Sequence, residues 1–258
     1  MAIINFYKPL GWTPFECIEE IRRMHPEWKN DPITYTGRLD PMAEGVIVFL
    51  TGEDRHQKEA FQNLDKTYHA TFLFGLSSDT YDALGIIQKG SDPTRDQIEQ
   101  ALTSLPGTHI LPFPPYASYK VQGKPLHWWA QQHRLQEIHI PHKEMRVNHS
   151  HIETVSSERL DNIRSEVFSR IDRVTGNFRQ AQSKDSWKNL GDSEQNYWIS
   201  VVTLDVQSGT YIRALAHSLG NQLGCGAILL SLKRSSVGSF LEDGSEYKES
   251  YQQASPHL

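Results

Sequence analysis

The run Val46-Ile47-Val48-Phe49-Leu50 fixes one central strand in any fold this chain adopts. It is short, rich in β-branched residues and closed by Thr51-Gly52, which reads as a buried strand rather than a helix. It is fed by Gly37-Arg38-Leu39-Asp40-Pro41 and then Met42-Ala43-Glu44-Gly45. Pro41 restricts Asp40 to extended backbone and fixes the direction of the chain beyond it. A carboxylate therefore sits on a stiff loop beside a core strand, the rigid support that a reacting group needs. Asp beside Pro is also ordinary turn chemistry, so the meaning of Asp40 depends on other segments.

The remaining elements follow from local signals. Ile3–Tyr7 reads as a strand. A helix follows, with Thr13 as its cap, Pro14 at its first position, Glu16 completing a capping box, and Phe15, Ile18 and Ile21 at helical spacing up to His25-Pro26. Thr67–Phe74 alternates as a half-buried strand, and Asp79-Thr80-Tyr81-Asp82 reads as a polar turn. Thr94 and Gln97 open a helix that places Ile98, Ala101, Leu102 and Leu105 on one face, with Gly107 as its stop.

Segment 157–174 reads as an amphipathic helix through Leu160, Ile163, Val167, Ile171 and Val174. Residues 175–196 read as a polar surface excursion or mobile loop. Tyr197–Val206 reads as a strand, followed by a helix from Gly209-Thr210 with Ile212, Leu215, Ala216, Leu219 and Leu223 inward. The polar tail 241–258 is expected to fray. Strands and helices mix without regular alternation, which predicts an α+β domain around a mixed or antiparallel sheet.

Composition excludes several classes. The 258 residues can bury a sizeable core, and a net charge of −5 argues against a broadly basic nucleic-acid wrapper while leaving room for local basic grooves. Cys17 and Cys225 stand far apart without metal-like spacing, which predicts a reduced, cytoplasmic setting. His142, His149 and His151 lack the companions of a zinc motif. No run approaches membrane-spanning length, and the N-terminus lacks the pattern of a signal peptide.

Four segments carry candidate chemistry: Tyr35–Pro41, Lys66-Thr67-Tyr68, Pro114–Lys124 and Ser208–Leu215. In the last, Tyr211 and Arg213 flank the core-facing Ile212. A guanidinium there can hold a carboxylate ionised and aimed, and an aromatic ring can wall a base-sized pocket. Taken alone, Arg213 reads more readily as an exposed helix residue and Tyr211 as core packing.

Together these segments resemble the bacterial TruB family of tRNA pseudouridine synthases. The matching motifs are Lys8-Pro9-Leu10-Gly11-Trp12-Thr13, then Thr36–Gly45, then Lys66 with Tyr68, then Pro114–Lys124, then Ser208–Leu215. Leu223–Ala227 and Leu232-Lys233-Arg234 complete the series, which runs in the family's order from residue 3 to about 240.

The resemblance implies a pseudouridine synthase-like catalytic domain over 1–240, with a mixed, largely antiparallel sheet flanked by helices and loops. It implies an isomerase that converts the T-loop uridine of tRNA, position 55 by convention, into pseudouridine without metal or cofactor. It makes Asp40 the catalytic carboxylate, Tyr68 the stacking tyrosine near the C5 proton, Arg213 the partner of that carboxylate and Tyr211 a pocket wall. Tyr35, Lys8, Lys66, Lys120, Lys124, Leu232 and Arg234 are expected to meet RNA. The partner is the T-arm of tRNA, and the protein is expected to be a monomer with no membrane contact.

This sequence also departs from the family pattern. Tyr35 stands where most relatives have His, and its phenol ring is expected to take over stacking. Ala130-Gln131 replaces the usual Ala-Arg. A stretch within 155–197 reads as an insertion whose Arg164, Arg170, Arg173, Arg179, Lys184 and Lys188 are either a solvated face or extra tRNA contacts. The chain is expected to lack the RNA-binding PUA domain that many relatives append. Two other functions are compatible with such a chain: a non-catalytic tRNA-binding or folding module, and a glycoside hydrolase. The hydrolase wants a second, suitably spaced carboxylate, and none is evident in sequence.

Overall fold

The computed structural model describes residues 2–191, 193–248 and 251. The strands are β1 (Ala2–Lys8), β2 (Ile33–Thr36), β3 (Ala43–Thr51), β4 (Lys66–Phe74), β5 (Leu76–Ser78), β6 (Ile87–Lys89) and β7 (Gly107–Pro112). They continue as β8 (Lys120–Val121), β9 (Lys124–Pro125), β10 (His142–Arg159), β11 (Asn196–Val206), β12 (Ala227–Val237) and β13 (Phe240–Leu241). The helices are α1 (Pro14–Met24), α2 (Lys58–Gln62), α3 (Arg95–Thr103), α4 (Leu126–Gln131), α5 (Leu160–Asp172), α6 (Gln180–Lys188) and α7 (Ile212–Leu223).

The main sheet has the order β1-β3-β12-β4-β11-β10-β7, with β2 also on β3 and β13 on β12. Among the described residues β12 and β3 pair in parallel, and the other ladders of this sheet are antiparallel. This is the mixed, largely antiparallel sheet expected.

Side-chain alternation explains why both faces of the sheet are covered. On β4, Phe72 and Phe74 pack with Ile98 and Leu102 of α3 and Leu215 and Leu219 of α7. Their neighbour Leu73 points the other way, into a cluster with Leu160, Val167 and Trp187 from the segment holding α5 and α6. On β12, Leu229 joins the first cluster while Ile228 and Leu230 join the second. A register shift between Leu229 and Ser231 marks a bulge in β12 against β4. There the β5–β6 loop docks: Ala83 N donates to Leu229 O at 3.1 Å, and Leu229 N donates to Tyr81 O at 3.0 Å. Bulges of this kind re-aim chain next to functional sites.

Several expectations need correction. Residues 175–196 are not simply a surface loop, because Gln180–Lys188 is a helix whose Trp187 is fully buried. Residues 157–159 belong to β10, not to the following helix. Phe15 sits at helical spacing but is exposed, because Pro14, Cys17 and Ile21 form the buried face of α1. The tail packs as far as it is described. Glu246 N donates to Asn5 O, Tyr247 stacks on Phe6 at 5.5 Å, and Tyr251 lies 5.6 Å from the ring of Tyr7. Residues 249, 250 and 252–258 of that predicted tail lie outside the described residues.

Candidate active site

Three connections converge on the bulged part of β12. The β2–β3 loop brings Asp40, the β5–β6 loop brings Asp82, and the start of α7 brings Tyr211 and Arg213. Asp40, Met42, Ala43, Asp82, Arg213 and Leu232 line one small cleft. The Asp40 loop is held by its own backbone, since Ala43 N donates to Asp40 O at 3.0 Å and Gly11 N donates to Pro41 O at 2.8 Å.

Arg213 is the hub. Its Nε lies 2.8 Å from Asp40 Oδ2 and 3.7 Å from Asp82 Oδ2, and its Nη1 donates to Thr80 O at 2.8 Å. The Nε–H does not point squarely at Asp40, so this contact is an ion pair rather than an aligned hydrogen bond. Burial opposes the charge on Arg213, but Asp40 and Asp82 outweigh it and hold the guanidinium protonated. The side chain of Arg213 is 5% exposed, that of Asp82 10% and that of Asp40 36%. A buried cation thus presents a partly open carboxylate at the mouth of the cleft.

Asp82 lies in a stretch, 79–82, whose sequence pattern is that of a polar turn and does not mark it as a site residue. Its Oδ1 accepts from Thr80 Oγ1 at 2.6 Å and from Leu84 N at 3.0 Å. Burial pushes its carboxyl up, while Arg213 and Thr80 pull it back. The signal available in sequence was the pair Thr80 and Asp82, two residues apart. Tyr81 between them is held in the left-handed region at φ 67° and stacks on His217 of α7, with ring centres 3.7 Å apart. A tyrosine in that conformation is strained, and such strain persists only where the surroundings over-determine it.

Tyr211 caps α7 from extended backbone, and its ring meets Phe113 edge-on at 5.5 Å. Burial, then the charge of Asp40, raises its phenol pKa. Tyr68 is buried on β4 in the same apolar cluster as Leu39, which precedes Asp40, and Leu232, which lines the cleft. Asp40, Arg213 and Tyr211 thus lie close together, and Tyr68 stands on β4, the strand paired with β12.

The RNA-facing predictions divide. Lys120 and Lys124 are exposed on the β8–β9 hairpin, with Lys124 Nζ 5.3 Å over the Trp128 ring. Tyr35 is half-buried against Phe49, and its hydroxyl accepts from Arg38, which also donates to Ser118 Oγ at 2.7 Å. Arg38, exposed and beside the cleft loop, was not singled out in the sequence.

Lys8, Lys66, Leu232 and Arg234 are all buried, unlike the exposed lysines of the β8–β9 hairpin. Lys8 Nζ donates to Ala43 O at 2.6 Å and Pro9 O at 2.9 Å. Lys66 Nζ donates to the carbonyls of Gln62 and Leu64 and to Ser208 Oγ. Arg234 donates to Val46 O at 2.6 Å and Gly37 O at 3.0 Å, and lies 3.5 Å from the Tyr68 hydroxyl. These cations neutralise backbone carbonyls of the site's frame, and Leu232 is an apolar wall of the cleft.

Among the described residues no group of His, Cys, Asp or Glu could hold a metal ion, and no helix is long and apolar enough to cross a membrane. His142, His149 and His151 lie on the exposed face of β10.

Residues 26–170 match the family model described as TruB family pseudouridylate synthase, N-terminal domain. The chain is 31% identical over 242 residues to the tRNA pseudouridine synthase B of Clostridium acetobutylicum, covering 93% of this chain and 68% of that protein. It is 30% identical over 247 residues to the tRNA pseudouridine synthase B of Clostridioides difficile, covering 94% and 67%. Among solved structures it is similar to a chain of the archaeal box H/ACA sRNP Nop10–Cbf5 complex, with a TM-score of 0.53 at 19% identity. It is also similar to a chain of an H/ACA RNP bound to a substrate RNA containing 2′-deoxyuridine, with a TM-score of 0.52 at 20% identity. At those identities the likeness concerns the fold alone. The match covers 93% of this chain but 49% of each solved chain.

Proposed function

The chain belongs to the TruB family of pseudouridylate synthases, and from that premise we propose that it isomerises a uridine of tRNA to pseudouridine, acting on the T-loop uridine at position 55. The observation that carries the reading is the buried Arg213 set 2.8 Å from the half-open carboxylate of Asp40. Burying a cation is costly unless it is matched, and an apolar pair would stabilise a core at least as well. The arrangement is better explained as a means of aiming one carboxylate.

The chemistry uses that carboxylate as follows. A T-loop uridine is inaccessible while stacked, so it must be extruded into the cleft. The C1′–N1 bond breaks, and positive character develops at the ribose, where Asp40 stabilises or traps it. The freed uracil turns between Tyr68 and the wall formed by Tyr211. C5 then bonds to C1′, the C5 proton leaves and N1 gains one, so atoms and oxidation state balance without a cofactor. Arg213 keeps Asp40 ionised and oriented throughout. Asp82 holds the other side of the guanidinium and does not face the ribose.

A binding module on the same scaffold is not favoured. Binding alone does not call for a carboxylate at the mouth of the site, where it repels phosphates. The position is tested with tRNA transcripts tritiated at uridine C5. Tritium release that disappears when the T-loop uridine is replaced by cytidine supports the reading. Release that continues unchanged contradicts the assigned position.

A further inference from the structure

The helices α5 and α6 stand directly behind both carboxylate loops. Arg170 is buried on α5, and its Nη2 donates to Met42 O at 3.2 Å, two residues beyond Asp40. Past the end of α5, Thr175 N donates to Gly11 O at 3.2 Å, and Gly11 N in turn donates to Pro41 O. Gly11 lies so close to this segment that an added Cβ would sit 2.0 Å from Arg173 O. Residues 173–175, Gly11 and Pro41 thus form a close-packed column behind Asp40.

The second loop is held by α6. Trp187 Nε1 donates to Ala83 O at 2.9 Å, and Ile87 N donates to Ser186 Oγ at 3.0 Å. Arg179, just before α6 and itself left-handed at φ 61°, places Nη1 2.8 Å from Asp79 Oδ2. Its guanidinium also lies 4.5 Å from the ring centre of Tyr116. Asp79 Oδ1 accepts from Ile86 N at 2.8 Å, so Arg179 grips the residue that closes the Asp82 loop.

The basic residues of this segment are already engaged within the chain. Arg164 pairs with Asp161, Lys184 with Asp172 and Lys188 with Asp185, and Arg173 reaches the hydroxyl of Tyr251. That pattern fits a clamp better than a phosphate-binding face.

We propose that α5 and α6 are a positioning brace for the isomerase site: Arg170 and residues 173–175 hold the Asp40 loop, Trp187 and Arg179 hold the Asp82 loop, and together they set the two carboxylates around Arg213. The proposal rests on the functional reading above for its effect on rate, but its mechanical part stands apart. A misplacement on the order of 1 Å in such a site costs up to about a hundredfold in rate.

The test compares full-length wild type with Arg179→Met, Arg179→Lys, Trp187→Phe and Lys188→Ala, the last as an exposed control. Two readings are taken: single-turnover tritium release with RNA affinity on a tRNA transcript, and amide hydrogen exchange of the segments around Asp40 and Asp82 in the free protein. Arg179→Met and Trp187→Phe are expected to slow turnover roughly tenfold with affinity within about twofold. Exchange at 79–86 should quicken on the order of tenfold, Arg179→Lys should recover much of both, and Lys188→Ala should match wild type.

Should Trp187→Phe fail to fold, the half-exposed Arg179 decides alone. Unchanged turnover and exchange in Arg179→Met overturn the brace, as does a loss confined to RNA affinity. If wild type itself releases no tritium, the functional reading falls. The exchange data then still uphold or overturn the mechanical part.

Discussion

Arg213 Nε stands 2.8 Å from Asp40 Oδ2 while the same guanidinium donates to Thr80 O and faces Asp82. One planar group therefore ties two loops that are far apart in sequence. A lysine is a single point charge and cannot span both carboxylates and the carbonyl. Arg213→Lys is expected to fold but to lower turnover at least about a hundredfold. Arg213→Met, which leaves Asp82 buried and unpaired, is expected to cost about 3–5 kcal/mol of stability. Turnover of Arg213→Lys, and urea unfolding of both variants, check this.

The two roles proposed for Tyr68, stacking and proton chemistry, can be separated by substitution. It is buried beside Leu39 and Leu232, and its hydroxyl lies near Arg234. Tyr68→Phe keeps the ring and removes the hydroxyl. Affinity for tRNA is expected to stay within about threefold while tritium release falls by at least about a hundredfold. Tyr68→Leu removes the stacking surface too and should weaken binding of the extruded base by about 1–3 kcal/mol. Filter binding and single-turnover release distinguish the two variants.

Lys8 and Lys66 make stability depend on pH. Burial lowers both to about 8, helped at Lys66 by the charge of Arg234. The unfolded chain keeps these protons to about pH 10.4. Below about pH 8 both states are protonated and the burial penalty is felt in full. Above it the native state sheds protons that the unfolded state retains, so stability rises with pH. The contribution of these two lysines to unfolding free energy is expected to increase from about pH 7.5, opposed above about pH 8.5 by the buried thiols of Cys17 and Cys225, which burial pushes up, and Lys8→Met should reduce the rise. The same substitution strips a donor from the Ala43 and Pro9 carbonyls, at a cost of about 1–3 kcal/mol. A series of urea titrations across this range reads both effects.

Arg234 should act on stability and not on RNA affinity. It is 1% exposed and donates to the carbonyls of Val46 and Gly37. Arg234→Met is expected to destabilise the fold by about 2–5 kcal/mol, since two buried acceptors lose their donor. The salt dependence of tRNA binding should not change, whereas Lys120→Ala or Lys124→Ala should each reduce its slope by up to about one. A lowered salt slope in a folded Arg234→Met protein contradicts this assignment.

What the sequence made legible is what local chemistry fixes. The capping boxes of Thr13 with Glu16 and Thr94 with Gln97 are both formed, because their hydrogen bonds lie within one turn. Alternation revealed β4 and β11, whose neighbours are buried in step. The β10 strand was not legible, because much of its length is solvent-exposed and polar residues dominate its pattern. The α6 helix was hidden for a similar reason, with Trp187 as its one large apolar anchor.

At the site, the motif around Asp40 and that around Arg213 were readable, but the pairing of Arg213 with Asp82 depends on a loop docking at a bulge in β12. The burial of Lys8, Lys66 and Arg234 was not legible because their partners are mostly backbone carbonyls, which leave no trace in side-chain identity.

The central claim is that the Asp40 carboxylate performs the glycosidic chemistry. The most direct measurement is single-turnover release of C5 tritium from unmodified tRNA transcript by Asp40→Asn, which preserves shape and removes charge. The expected result is a loss of at least roughly a thousandfold, with tRNA affinity equal to or tighter than wild type because a repelling charge is gone. Release by Asp40→Asn at a rate near that of wild type contradicts the account.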